Sequence, residues 1–411
     1  MSRKFVVGFD SRYIARWITG ISNYTFHIVR SVLERKLDLQ FVACRDFDWQ
    51  VLDLAGLERI SAAHQSAAAG QTMSSLRAIK RQIMEDSVKV LWGLPPARAI
   101  YRQVSQRQIA RFGRSQSLDL FHAFSFRPPV DLGVPVLPVI YDLSTFRHPE
   151  FHPVDRVRWL APVEGLVARA PIVQTISEFS KREIMSVFGT CAEKIFVAPP
   201  AAAELYAPKG QEATQRDLAS FGLTYGKFFL TVGTLEPRKN IRTLISAYAR
   251  LSPTARAQCP LVVAGGQGWG DLKLPRQVNA LRSEGALRLL KGVSNLQLRS
   301  LYEGARLLLM PSLYEGFGMP VVEALACGTP VAYSSRSAME EIAAGLGRAA
   351  PAEDVDAWGE ILRDALEYSE HLDPILRGLR IDRARAFDWG QSAALVVDAY
   401  RRLSSGGLDT E

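Results

Sequence analysis

Short apolar runs alternate with amphipathic helical patterns twice along this chain, and few folds are open to a chain that alternates in this way. In the first 200 residues KFVVGFD, LQFVACR, DLFHAFS, PVLPVIYDLS and PIVQTIS read as buried strands, with ISNYTFHIVRSVLERK and EFSKREIMSVF as helices. Runs that are apolar throughout belong to strands covered on both faces, as in a parallel sheet with helices on each side. KIFVAPPA leads into residues 199–210, PPAAAELYAPKG, whose three prolines and small residues mark a crossing between domains. The alternation then starts afresh with KFFLTVGT, CPLVVAGG, LRLLKGVS, ARLLLMPS and TPVAYSS, interleaved with helical stretches such as NIRTLISAYARL and NLQLRSLYEGA. The expectation is an α/β protein with two Rossmann-like, doubly wound parallel-sheet domains, residues 1–200 and 209–390. AAHQSAAAG (62–70) reads as a surface loop, and FDWGQSAALVVDAYRRL near the end as an amphipathic helix.

Composition removes several function classes. With 411 residues and 47% hydrophobic content the chain can bury more than one core. No apolar run reaches the roughly 18 to 20 residues of a membrane span, and MSRKFVVGFDSRYIARW turns polar too early for a signal peptide, so a cytoplasmic location is expected. Cys44, Cys191, Cys259 and Cys327 form no metal-ligand spacing and read as reduced structural thiols. Two Asp-x-Asp triplets, Asp46-Phe47-Asp48 and Asp354-Val355-Asp356, are what chance provides in a chain of this length, and neither lies at the site argued below. No metal and no cofactor are expected.

Charge is distributed unevenly. Residues 1–200 carry 26 Lys and Arg against 18 Asp and Glu, which is the whole net charge of +8. Nine basic residues fall in 76–114, where only Glu85 and Asp86 oppose them and Leu76, Ile79, Ile83 and Met84 recur at helical spacing. Such an element can lie on the anionic inner face of the cytoplasmic membrane, or it can be a solvated helix over the core; both readings stand. Nucleic acid is not expected, because the stretch is poor in aromatics and carries no binding motif.

Two motifs carry the chemistry. Residues 308–333, LLMPSLYEGFGMPVVEALACGTPVAY, join Glu315 and Glu323 through Gly316, Phe317, Gly318 and Met319 into a short helix between two strand-like runs. The glycines let the backbone approach a ligand, and Pro320 suits the start of a helix whose free N–H groups attract an anion. Glu315 is expected in the turn and Glu323 in the first helical turn, each carboxylate able to accept from neighbouring sugar hydroxyls. GTLEPRKN, Gly233 to Asn240, puts Arg238 and Lys239 at the end of a strand, where they can offset charge building on a departing diphosphate.

Glu315 and Glu323, set in PSLYEGFGMPVVEALACGTPV, resemble the donor site of the retaining glycosyltransferases of family four. The resemblance implies the GT-B fold, a cleft between the two domains, and a terminal helix (391–405) that returns to pack on the N-terminal domain. It implies catalytic roles for Glu315, Lys239 and Arg238, and donor contacts from Glu323, Gly233, Thr234, Gly265, Val293, Gly316, Phe317, Gly318 and Met319. Many relatives have arginine where this chain has Thr234. VVAGGQGWG resembles the family's nucleotide-side glycine turn, and LKGVSN its base-reading segment. Gly20 and Ile21 resemble a glycine-bearing loop facing donor and acceptor. His122, in DLFHAFSF, resembles a family histidine and is the candidate polar contact to the sugar or acceptor hydroxyl. The family's His-Asp-Leu stands here as Tyr141-Asp142-Leu143, leaving Asp142 as a cleft contact, and Ser177 and Glu178 fit a helix cap.

Taken together, these features imply a retaining hexosyltransferase acting without metal. It would move a hexose from GDP-mannose, with a UDP-sugar as runner-up, to a glycan or polyprenyl-linked acceptor in surface polysaccharide synthesis. A same-fold nucleotide-sugar hydrolase or epimerase, and a catalytically idle membrane-associated scaffold, remain open alternatives.

Overall fold

The computed structural model describes residues 3–12, 14, 20–45, 48–68, 107–111, 113, 116–266, 268–270, 272, 274 and 276–404. Most of the basic stretch 76–114, and Asp46-Phe47 of the first Asp-x-Asp triplet, lie outside them. Two sheets form, one from each half.

The first runs in the order β3-β2-β1-β4-β5-β6-β7, with β1 Phe5–Asp10, β2 Leu39–Arg45, β3 Asp48–Leu52, β4 Leu120–Ala123, β5 Val136–Ile140, β6 Val173–Thr175 and β7 Ile195–Val197. Among its helices are α1 (Gly20–Leu33), α2 (Leu54–Ala68) and α3 (Glu178–Phe188). Neighbours pair in parallel except β2 and β3. Strand β3 was not legible in sequence: only two residues separate it from β2, and at the sheet edge it buries Trp49 while Val51 stays 62% exposed. The expected loop at 62–70 is instead helix as far as Ala68, since an alanine-rich run loses little entropy on coiling.

The second sheet runs β10-β9-β8-β11-β12-β13, all parallel, with β8 Phe229–Val232, β9 Leu261–Ala264, β10 Leu287–Leu290, β11 Leu307–Met310, β12 Val331–Ser334 and β13 Gly347–Ala350. Strand β13, GRAA, carries no apolar pattern. Gly347 is needed there because a Cβ would stand 2.8 Å from the Val331 carbonyl oxygen. Three helices matter below: α4 (Asn295–Gly304), α5 (Met319–Ala326) and α6 (Ala338–Ala343).

The crossing is fastened at both ends. Glu303 on α4 is fully buried and accepts from the backbone N–H groups of Lys209 and Gly210, from Thr214 and from Arg299 and Arg377. With so many donors its charge is compensated. Helix α7, Trp389–Leu403, returns to the first domain: Ser392 donates to the Pro199 carbonyl (2.6 Å), Arg35 donates to the Gly390 carbonyl, and Trp389 stacks on His27 of α1.

Candidate functional site

In each sheet the strand order reverses once, between β1 and β4 and between β8 and β11. Loops diverge at such a reversal and leave a crevice at the carboxyl ends of the strands. In the second sheet the loop after β8 is GTLEPRKN and the loop after β11 is PSLYEGFG, so the two motifs meet although they are distant in sequence. Gly233, Lys239, Pro311 and Ser312 are among the residues that line the crevice.

Glu315, in the loop after β11, is 7% exposed. Lys239 Nζ donates to its Oε1 at 2.6 Å and Arg238 Nη1 to its Oε2 at 3.0 Å; Arg238 also donates to the Tyr314 carbonyl and, through Nη2, to Glu236. Burial alone would push the Glu315 carboxyl up, but the Lys239 and Arg238 charges outweigh it and hold the group at about 2. The turn is rigid. Pro237–Lys239 is a single 3-10 turn closed by Asn240 at φ +51°, and Asn240 Nδ2 donates to the carbonyls of Pro311 and Ala352. Two cations are thus held between two carboxylates, Glu315 and Glu236, in a preorganised group whose charges balance.

The glycine turn after β9 has a packing role. A Cβ on Gly265 would fall 1.9 Å from the Gly233 carbonyl oxygen, and one on Gly268 2.2 Å from that of Leu235, beside Thr234. Gly265, Gly268, Gly233 and Thr234 are therefore where two site loops interlock. Val293 precedes Ser294, which closes a capping box at the start of α4.

Glu323 differs from expectation. Helix α5 begins at Met319 after Gly318, at φ +107°, so Glu323 is its fifth residue and stands in the second turn. The Tyr302 hydroxyl donates to its Oε2 at 2.8 Å, and burial raises its carboxyl to about 7. The Phe317 side chain is also corrected: it is buried edge-on to Phe387, so only its backbone can face a donor.

The first domain closes on this loop. A Cβ on Gly316 would stand 2.2 Å from the Tyr141 carbonyl oxygen and 2.6 Å from Asp142 Cβ. Ser177 and Ser180 hydroxyls both donate to the Gly316 carbonyl, while Ser177 also caps α3 as expected. Glu341 on α6 accepts from the N–H groups of Glu178 and Phe179 at 3.0 and 2.9 Å, a carboxylate of one domain at the helix N-terminus of the other. A cavity of about 580 Å³ lies beside this contact, lined in part by Arg182 and Arg336. Trp269, in the glycine turn, donates from Nε1 to the Phe151 carbonyl. Asp142 Oδ1 is occupied by the N–H and hydroxyl of Ser144.

Two further expectations change. Gly20 and Ile21 are the first two residues of α1 rather than a loop, because the helical pattern extends back to the glycine. His122 is fully buried: Nδ1 bonds the Tyr400 hydroxyl of α7 at 2.6 Å, the ring stacks on Phe124, and burial lowers it to about 3. Its environment is the junction of β4 and α7, so no substrate atom reaches it in this arrangement. Asp354 of the second triplet caps a helix by accepting from Asp356 and Ala357. Sequence reading missed Glu341 and Trp269, whose hydrogen-bond partners come from the other domain, and His152, whose ring lies beside Trp269; none of these contacts leaves a local pattern.

Comparison with known proteins matches residues 218–375 to the family described as glycosyl transferases group 1. O-antigen chain mannosyltransferase B of Escherichia coli is 34% identical over 305 residues, which are 74% of this chain and 79% of that protein. A D-inositol 3-phosphate glycosyltransferase of Kineococcus radiotolerans is 29% identical over 55% of this chain and 56% of its own length. Among solved structures, HepE of Anabaena in complex with UDP and glucose superposes with a TM-score of 0.68 at 16% identity, covering 96% of this chain and 99% of that one. WaaG, a glycosyltransferase involved in lipopolysaccharide biosynthesis, gives 0.64 at 16% identity over 97% and 100%.

Proposed function

The chain belongs to the group 1 glycosyl transferases, and we propose that it moves mannose from GDP-mannose to a glycan or polyprenyl-linked acceptor in surface polysaccharide synthesis. The observation that carries the reading is the cluster of Arg238, Lys239 and Glu315 at the strand-order reversal of the second sheet. Mannose is favoured by the similarity to an O-antigen mannosyltransferase.

In this reading the diphosphate lies against Arg238 and Lys239 and the start of α5, Glu315 accepts hydroxyls of the hexose, and Glu323 those of the ribose. Gly233, Thr234, Gly265, Val293, Gly316, Gly318 and Met319 approach the donor through their backbone. Gly20, Ile21 and Asp142 border the acceptor side. The bond from the anomeric carbon to the diphosphate oxygen breaks as the acceptor oxygen bonds to the same face, giving retention; the acceptor proton passes to the departing diphosphate. The two cations stabilise the charge that builds there, so turnover needs no divalent metal and survives a chelator. The excess positive charge of residues 1–200 suits work at the inner face of the cytoplasmic membrane. Among the described residues no helix is long and apolar enough to span it.

A thermal-shift panel of GDP- and UDP-sugars tests the donor. GDP-mannose at 100 times its dissociation constant should add about 2.7 kcal/mol of stability. A shift with UDP-glucose and none with GDP-mannose transfers the assignment to a UDP-sugar; no shift with any nucleotide sugar contradicts it.

A further inference from the structure

His152 is a buried histidine for which the fold has no use. It follows the 3-10 turn Pro149–Phe151 of the first domain and is 8% exposed, and neither ring nitrogen has a hydrogen-bond partner among the described residues. Buried polar atoms are nearly always paired, so two unpaired nitrogens on one ring call for a partner from outside the chain.

Contacts across the cleft place the segment that carries His152 beside the loops of the site. His148, at the head of the same turn, packs edge-on against Tyr314, the residue before Glu315, at 5.9 Å between ring centroids. At its other end the Phe151 carbonyl accepts from Trp269, and the His152 ring lies 6.5 Å from the Trp269 ring. The segment therefore bridges the loop after β11 and the glycine turn after β9, both of which border the crevice. Burial, and after it the Arg156 charge, lowers the imidazole to about 4; Asp142 and Arg238 also act on it. A neutral imidazole offers one N–H donor and one acceptor, and a hydroxyl, itself donor and acceptor, can meet both.

We infer that His152 hydrogen-bonds a sugar hydroxyl in the closed cleft, either of the hexose being transferred or of the acceptor. The inference rests on the transferase reading above. The test uses the full-length chain, GDP-mannose, a glycan acceptor and the variants His152→Phe and His152→Gln. The phenylalanine removes two unpaired nitrogens at similar volume, so its thermal midpoint should equal or exceed the native value while kcat/KM falls roughly tenfold to a hundredfold. His152→Gln keeps a donor and an acceptor and should recover part of the rate. Weaker GDP-mannose binding by His152→Phe assigns the contact to the donor hexose; unchanged donor binding with a raised acceptor KM assigns it to the acceptor. A His152→Phe variant within about twofold of native kcat/KM overturns the inference, as does parallel loss of midpoint and rate in both variants, which marks a structural residue. Native turnover with silent variants overturns the His152 contact alone. A native chain that turns over no nucleotide sugar overturns the transferase reading and this contact with it.

Discussion

Glu315 is held by two cations, so removing its charge acts on the fold as well as on transfer. Glu315→Gln leaves Lys239 without its carboxylate in a buried site, at a cost of about 3 kcal/mol. Transfer should fall at least about a hundredfold. Denaturant midpoints beside initial rates separate the two effects; unchanged stability would mean that Lys239 finds other partners. The sequence alone suggests an intact fold for this variant, because the pairing of Glu315 with Arg238 and Lys239 is visible only once the loops after β8 and β11 are side by side.

Glu323 supplies a pH test. Its folded carboxyl is raised to about 7, so its contribution to stability is full below the ordinary glutamate range and is lost as pH rises through 7. Glu315 has the opposite sign: its contribution is present above the ordinary range and is lost as pH falls toward 2. If Glu323 binds ribose as a carboxylate, donor affinity should weaken by up to about tenfold per pH unit below 7, and Glu323→Gln should flatten that dependence. An unchanged profile in the variant removes Glu323 from the donor site. At this scale the four charged residues were legible because each lies in a short contiguous motif, whereas His152 and Glu341 were not.

Between elements, the contact that sets the cleft is Glu341 at the start of α3. Glu341→Ala removes two charge-assisted hydrogen bonds between domains, about 2 kcal/mol, which favours an open cleft by roughly thirtyfold. Donor KM should rise severalfold, with a larger radius of gyration by X-ray scattering and little change in thermal midpoint. An unchanged radius and KM would show that the Ser177 and Ser180 bonds to Gly316 suffice. The sequence shows α3 and its Ser177 cap, since a cap is local; it does not show what meets the other face of that cap. The same limit hid β13, whose glycine is chosen by a neighbouring strand and not by its own pattern.

For the whole molecule, the alternation of strands and helices and the proline-rich crossing were sufficient to foresee two doubly wound sheets, because buried parallel strands leave a continuous apolar trace. The terminal helix was foreseen by resemblance, but its effect on His122 was not. Tyr400 of α7 occupies Nδ1 of His122, so Tyr400→Phe should cost about 1 kcal/mol and leave transfer intact. A loss of kcat in Tyr400→Phe beyond its loss of stability would return His122 to the reacting groups.

In the proposed reaction the crevice at the strand-order reversal of the second sheet binds a nucleotide sugar, whose hexose passes to the acceptor. The direct measurement is transfer of labelled hexose from GDP-mannose to a polyprenyl-linked glycan by the native chain and by Lys239→Met. Label should appear in the acceptor with the anomeric configuration of the donor, formed at least about a hundredfold faster by the native chain. Equal rates in the two proteins, or release of free hexose at a rate indifferent to acceptor, would contradict the proposed reaction.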